Sequence, residues 1–579
     1  MTNESGEHDG ATRRDFLRLG GAAAAGAVVG GAAGAAITTA VVGAAAGAGA
    51  APGASPVASG GPISHWVVLM GENRSFDNLL GRLYTPDDPP EGAAFEGLAF
   101  GDYANDDRDG TRIAAHVYDG TTDAIMGRPD PDPGEEYPHV NTQLFDTIDP
   151  ASNEGRGIAE MTAPFNAPGD ASSPTMSGFV RDYRSHLQAL RRGKEPAEHE
   201  VRQIMGGFAP EMLPVLSTLA REFAVFDHWH CAVPSQTFCN RSFFHASTSH
   251  GFVTNTESGG AGKWLDAPAA PTIFNRLDDA GLSWRVYFDE QQLVSFTGFI
   301  HAPALEQYWR TEHFATMADF ERDAADGTLP VYAFIEPRMV YDHNDFHPPV
   351  GRLREGEVDG ELVVDSAVSD VRAGDALVHR VYEALRGADS ETGSNALNTL
   401  LLITFDEHGG TYDHVAPPAA TPPGAKGDEA GDAEMGFGFD RLGVRVPAIA
   451  VSAYTRAGTV VNDEYHHGSL IATLTHAHGL HHLTDRDRRA PRLDAVLNLD
   501  APRHPSTWPS PTPQFVPPNP ETEGHPAAKH PDRPLSPPAR GLLALLLAKY
   551  APGEALPETY ADALDALERH GKGLFGAPR

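Results

Sequence analysis

Leu400-Leu401-Leu402-Ile403-Thr404-Phe405 runs straight into Asp406-Glu407-His408-Gly409-Gly410. A near-continuous apolar run of this length reads as a strand buried on both faces, and its abrupt end leaves two carboxylates where the strand stops. The pattern recurs along the chain. Trp66-Val67-Val68-Leu69-Met70 ends in Gly71-Glu72-Asn73-Arg74-Ser75-Phe76-Asp77, and Val331 to Ile335 ends in Glu336-Pro337. Val446-Pro447-Ala448-Ile449-Ala450-Val451 repeats the apolar run without the acids. Helical stretches such as Asp375 to Leu385 and Ser469 to Leu480 separate these runs. The alternation predicts an α/β fold with a central, mostly parallel sheet and helices on both faces. Ligands of such sheets gather beyond the carboxyl ends of the strands, which is where these acids fall.

Outside this core pattern the chain divides into recognisable stretches. Thr12-Arg13-Arg14-Asp15-Phe16-Leu17-Arg18 precedes an Ala/Gly/Val-rich run, so residues 1–51 read as a twin-arginine signal for export to a secreted, periplasmic or cell-surface location. Residues 52–63 read as a linker, 64–500 as the main domain, and 501–579 as a proline-rich segment followed by a helical appendage with helices expected over 539–550 and 559–570. From Gly81 to about Gly206 the composition is rich in Asp, Pro and Gly with weak periodicity, which predicts long loops and short helices capping the site. With 579 residues, 41% hydrophobic and 21% charged, the chain is globular rather than disordered or fibrous. A formal net charge of -35 excludes nucleic acid as a partner, since phosphate backbones call for a surplus of Lys and Arg. Most of that acidity reads as solvated surface. Cys231 and Cys239 are the two cysteines, too few for a structural zinc site; a disulfide between them stays open.

Hydrolysis of a phosphoric ester needs a nucleophile, a cation to offset charge on the transferring group, and a proton donor for the leaving oxygen. Candidates for all three are present. Glu72-Asn73 and Asp406-Glu407 each set two oxygen-bearing side chains at a strand end, which suits a hard or borderline divalent ion. Thr237 stands just before a helix expected over 238–246, where it can cap the helix and where a phosphate would be attracted. The block Asn344-Asp345-Phe346-His347-Pro348-Pro349 and the pair Asp413-His414 add carboxylates and imidazoles. Histidine is the side chain best suited to moving a proton near neutral pH.

Glu-Asn-Arg-Ser-Phe-Asp at 72–77, Thr-x-x-Asn-Arg at 237–241, Asn-Asp-x-His-Pro-Pro at 344–349 and Phe-Asp-Glu-His-Gly-Gly-x-Tyr-Asp-His-Val at 405–415 closely resemble the bacterial phosphoesterase family that includes phospholipases C and the AcpA-type acid phosphatase. The resemblance covers about residues 64–500. It implies an alkaline-phosphatase-like α/β fold, one divalent metal ion of unknown identity, and a Ser or Thr nucleophile. Carried over, the metal ligands are Glu72, Asn73, Thr237, Asp406 and Glu407; the catalytic set is Thr237, His347, His414, Asp345 and Asn240. Thr237 would form a phosphothreonine intermediate on a small-molecule or phospholipid phosphate ester, and a lipid substrate leaves room for transient contact with a membrane surface. Many relatives place a histidine after Asp-Pro-x, whereas this chain reads Asp132-Pro133-Gly134-Glu135-Glu136-Tyr137-Pro138-His139, so either Glu135 or His139 fills that part of the site or substrate preference differs. A sulfatase is disfavoured because Thr237-Phe238-Cys239-Asn240-Arg241 lacks its nucleophile motif. The alternative from another class is an exported, non-catalytic binding protein on the same fold. Tyr84, Tyr103 and Tyr183 could box a choline ammonium, although scattered tyrosines are more often packing residues.

Overall fold

Full burial of every residue in the Thr399–Phe405 strand means that both faces of the sheet around it are covered, because alternate side chains point to opposite sides. This computed structural model describes residues 61–120, 125–169, 173–257, 259–349, 351–358, 361–366, 369–424, 433–514 and 525–578. The expected export signal lies outside them. The central sheet has eight strands: β1 (His65–Gly71), β2 (Ala224–Phe226), β3 (Trp284–Phe288), β4 (Phe314–Thr316), β5 (Tyr332–Ile335), β6 (Thr399–Phe405), β7 (Ala448–Ser452) and β8 (Thr459–Val461). Their order is β8-β2-β7-β6-β1-β5-β3-β4. All are parallel to one another except β7, which runs antiparallel to both β6 and β2. β7 starts at Ala448 rather than at Val446, since Pro447 has no N–H to give a ladder.

Register decides what the strand ends deliver. Gly71 pairs with Phe405, so Glu72 and Asp406 emerge side by side from β1 and β6. Ile335 pairs with Leu69, so β5 stops short of that level. Its terminal Glu336 turns instead to the short helix Phe296–Ile300, accepting from Ser295 Oγ at 2.9 Å, Phe296 N at 3.1 Å and Thr297 N at 2.6 Å. Because β7 is reversed, the residues that precede it, among them Arg445, arrive at the edge where the other strands end.

The 81–206 region carries more helix than its composition suggests. Tyr137–Phe145 and the twelve-residue Phe179–Leu190 pack a second small apolar cluster that includes Val140, Leu144, Phe179, Tyr183 and Leu187. Tyr183 and Tyr84 are packing residues: the Tyr183 hydroxyl donates to Pro131 O at 2.6 Å, and Tyr84 lies between Phe95 and the Arg221 guanidinium. At the other end of the chain, helix Pro537–Tyr550 starts at Ser536, whose hydroxyl accepts from Ala539 N. It buries Leu542, Leu543, Leu545 and Leu546. A Cβ at Gly541 would stand 2.7 Å from the Phe238 ring, so this helix rests directly on the segment that begins at Thr237. Cys231 and Cys239 are buried free thiols.

Candidate functional site

Glu72, Asn73, Asp406 and Glu407 are all buried at the ends of β1 and β6. Asp406 Oδ1 accepts the backbone N–H of Asn73 at 3.1 Å and that of Glu407 at 2.7 Å, which ties the two strand ends together. Asn73 adopts φ +58°, a left-handed conformation that Asn tolerates better than most residues. The Asp406 loop folds back so closely that a Cβ at Gly409 would lie 2.3 Å from Asn73 O; Gly409 also has φ +60° and donates its N–H to Glu407 Oε2 at 2.6 Å. The Asn73 side-chain amide donates to Glu135.

Helix Thr237–Ala246 brings in the hydroxyl. Gln236, not Thr237, is its N-cap residue, and the Thr237 hydroxyl makes no capping bond. Thr237 Oγ1 lies 3.5 Å from Glu72 Oε2, the outer limit of a hydrogen bond. Asn240 holds the preceding loop: its Oδ1 accepts from Val233 N at 2.9 Å, and its Nδ2 donates to Ser235 O at 2.7 Å, Val233 O at 3.1 Å and Gln236 O at 3.2 Å. With every donor and acceptor of its amide engaged by backbone, Asn240 shapes the loop that carries Thr237. One turn along the helix, Arg241 forms ion pairs with Glu72 and, at 3.3 Å, with Asp406.

Burial drives the carboxyl groups of Glu72, Glu135 and Glu407 well above the usual range, with neighbouring carboxylates adding to the effect, and raises Asp406 against the opposing pull of Arg241 and of the hydrogen bonds it accepts. Arg241 moves the other way from what burial alone would do: Glu72 and Asp406 hold its guanidinium charged. Asn73 Oδ1, Glu407 Oε1 and His347 Nε2 are buried without a hydrogen-bond partner. Unpartnered buried polar atoms are rare, and here they belong to a group with a surplus of negative charge. Carboxylate and amide oxygens in that state fit the divalent cation implied by the sequence.

The imidazoles separate into distinct settings. His347 is buried, its Nδ1 faces Pro348 O at 2.6 Å, and burial lowers its pKa to about 4. Asp345 Oδ1 accepts the His347 backbone N–H at 3.0 Å, Asp345 Oδ2 accepts from His343 Nδ1 at 2.8 Å, and Asp345 O accepts from Glu72 N at 2.7 Å. Asp345 is thereby joined to Glu72 on one side and to a buried Asp–His pair on the other. His343 escaped the sequence reading; the only signal was its i, i+2 spacing from Asp345. Of the two residues that could fill the first loop position, Glu135 reaches Asn73, whereas His139 pairs with Asp182 at 2.8 Å. His408 turns to Gln143 Oε1 at 2.8 Å.

His414 is not brought into this group by any of its contacts. Its Nδ1 faces Asp77 Oδ2 at 2.6 Å, its Nε2 faces Glu96 Oε1 at 3.0 Å, and Tyr103 packs on the ring at 4.0 Å. Burial works against protonation there, yet Asp77 and Asp413 raise its pKa overall. Arg445 centres this second network, with Nε 2.9 Å from Asp413 Oδ1, Nη2 3.0 Å from Asp77 Oδ1, and Nη1 bonded to Asp227 O at 2.6 Å. Arg445, Asp77 and Asp413 are all buried. Replacing Arg445 by Met leaves the buried Asp413 without its cation and Asp77 with His414 alone, so urea unfolding should show a loss of about 3–5 kcal/mol; a variant within about 1 kcal/mol of wild type would mean that the network contributes little.

A profile of the phosphoesterase family matches residues 63–481. Non-specific phospholipase C6 of Arabidopsis thaliana is 34% identical over 457 residues, 76% of this chain and 74% of that protein. Non-specific phospholipase C3 of the same plant is 30% identical over 460 residues, 77% and 75% of the two. Among solved structures, an alkaline phosphatase superfamily protein from Vibrio parahaemolyticus aligns over 48% of this chain and 64% of its own at 13% identity and a TM-score of 0.26, a likeness too slight to carry weight.

Proposed function

The chain belongs to the phosphoesterase family and is a phosphoric ester hydrolase, and from that premise we propose that it cleaves phospholipid phosphodiesters in the manner of a phospholipase C, with Thr237 as nucleophile. The observation that carries this reading is the 3.5 Å approach of Thr237 Oγ1 to Glu72 Oε2, together with Arg241, one turn on, bridging Glu72 to Asp406. Three distant segments meet there around one hydroxyl that no capping bond engages. The amino end of its helix favours both an alkoxide and phosphoryl oxygens. Glu72, Asn73, Thr237, Asp406 and Glu407 would hold a divalent ion, which when bound offsets charge on the transferring group.

In the first half-reaction Thr237 Oγ1 attacks phosphorus as the alkoxide and the bond to the leaving alcohol breaks, giving phosphothreonine; in the second, water gives up a proton and attacks phosphorus, and Thr237 leaves again as the alkoxide. The proton traffic falls to His343. Asp345 Oδ2 accepts a hydrogen bond from its Nδ1–H and fixes the ring, so that Nε2 can give a proton to the leaving alcohol and take one from water. His347, neutral with Nε2 unpartnered, offers a lone pair rather than a proton. His414 belongs in this reading to the Arg445 network, and Asn240 positions the Thr237 loop.

The direct test offers the purified protein p-nitrophenyl phosphate, bis-p-nitrophenyl phosphate and p-nitrophenyl phosphorylcholine, with each divalent metal in turn. Diester turnover that disappears with chelator is expected; a protein inert toward all three would remove the proposal. His343→Gln should lower phosphatidylcholine cleavage by about 10²–10⁴-fold. Its effect on the initial burst of nitrophenolate from p-nitrophenyl phosphorylcholine, which reports the first half-reaction alone, should be far smaller, because nitrophenolate leaves without needing a proton. Equal losses on both substrates would show that His343 does not serve as the acid. Export is proposed from the twin arginines, and replacing Arg13 and Arg14 by Lys should hold the protein inside the cell.

A further inference from the structure

We propose that Asp132, Glu135 and His347 form a second divalent-cation site beside the one built on Glu72, Asn73, Asp406 and Glu407. One carboxylate oxygen from each acid and one imidazole nitrogen lie within 4.8 Å of one another, and all three residues are buried. The imidazole nitrogen is identified by elimination. Nδ1 of His347 faces a carbonyl, Pro348 O at 2.6 Å, and so carries the hydrogen; Nε2 keeps its lone pair and has no hydrogen-bond partner. Asp345 fixes the residue by accepting its backbone N–H. A fully buried imidazole lone pair beside two carboxylates is a donor set for Zn²⁺, Mn²⁺ or Fe²⁺ more than for Mg²⁺ or Ca²⁺, which prefer oxygen alone.

Charge supports the same conclusion independently. Asp132, Glu135, Glu136 and Glu407 lie within electrostatic reach of one another. Arg241 is engaged with Glu72 and Asp406. Like charges gathered in a buried site are costly unless neutralised, and a second cation would offset them. Asn73 forms the seam between the two sites: its backbone N–H bonds Asp406, its Nδ2 bonds Glu135, and its Oδ1 is unpartnered. Paired ions in phosphoesterase sites stand about 3.5–4 Å apart and clamp the phosphoryl group between them. The proposal rests on the preceding section only for the ligands of the first ion.

The test counts ions. The full-length protein, stripped with chelator, reloaded with Mn²⁺ and desalted, should carry two manganese ions per chain and give an exchange-coupled EPR spectrum. Glu135→Gln and Asp132→Asn should each carry one ion and give the six-line spectrum of isolated Mn²⁺, with melting curves confirming that they fold. One ion in the wild type, or two retained in both variants, overturns the second site, and the wild-type count decides the matter even if neither variant folds. A protein that binds one ion and hydrolyses diesters keeps the proposed function and loses this inference; one that binds two and hydrolyses nothing does the reverse.

Discussion

Thr237→Ala is expected to remain folded while losing at least about 10⁴-fold in kcat/KM on a phosphodiester. The size of the loss follows from the step removed: without Oγ1 no covalent intermediate forms, and only binding and the surrounding charges remain to assist water. The fold should tolerate the change because the hydroxyl makes one contact at the limit of hydrogen bonding and caps nothing. The melting midpoint should therefore move by only a few degrees, the shift that about 1 kcal/mol gives in a protein of this size. Thr237→Ser keeps the oxygen and should recover much of the activity. Acid quench during turnover followed by peptide mass spectrometry should find phosphate on Thr237 in the wild type and on no residue of the alanine variant. An alanine variant within tenfold of wild type would exclude covalent catalysis by this residue.

The strand ends were legible in sequence because a strand buried on both faces must be apolar throughout, so its last residue is marked by the first acid. That rule exposed Glu72 and Asp406, and it gave the parallel core of the sheet. Register was not legible. Gly71 pairing with Phe405 sets Glu72 beside Asp406, while β5 ends two residues lower and Glu336, an equally conspicuous strand-end acid, caps a helix instead. The reversed β7 was hidden for the same reason, since its apolar run reads identically in either direction, and with it went the origin of the Arg445 network that holds His414. His343 was missed because an Asp–His pair within a loop depends on backbone turns that no periodicity records. The helix Phe179–Leu190 was underread because its apolar positions, 179, 180, 183 and 187, sit in a stretch dominated by Asp, Pro and Gly. Residue chemistry thus marked the strand ends on which the candidate site is built, whereas the contacts of His343, His347 and His414 emerged only in three dimensions.

Removing divalent ions should abolish activity and also reverse the way stability responds to pH. Glu72, Glu135, Asp406 and Glu407 all have pKa values raised in the folded protein, burial being the leading cause. A folded state with raised carboxyl pKa values binds more protons than the unfolded chain, so stability must fall as pH rises. The contribution is fully present below about pH 4, the ordinary carboxyl value, and is lost as pH climbs through the raised values. Asp345 opposes this weakly: burial pushes its pKa up, but His343 and His347 bring it below the usual value. In chelator, the melting midpoint should accordingly drop over the interval above about pH 4, the ordinary carboxyl value, as these groups ionise. Divalent ions bind the deprotonated ligands and take the place of those protons, so the midpoint gained on adding metal should grow with pH over the same interval. At a free concentration about 1,000 times the dissociation constant the gain is about 4 kcal/mol. Scanning calorimetry at several pH values, with and without Mn²⁺, measures both slopes. A chelated protein whose midpoint holds steady or rises over that interval would mean that these carboxyl groups are not neutralised by protons when the ion is absent, and a metal-induced gain independent of pH would place the ion on ligands other than these four.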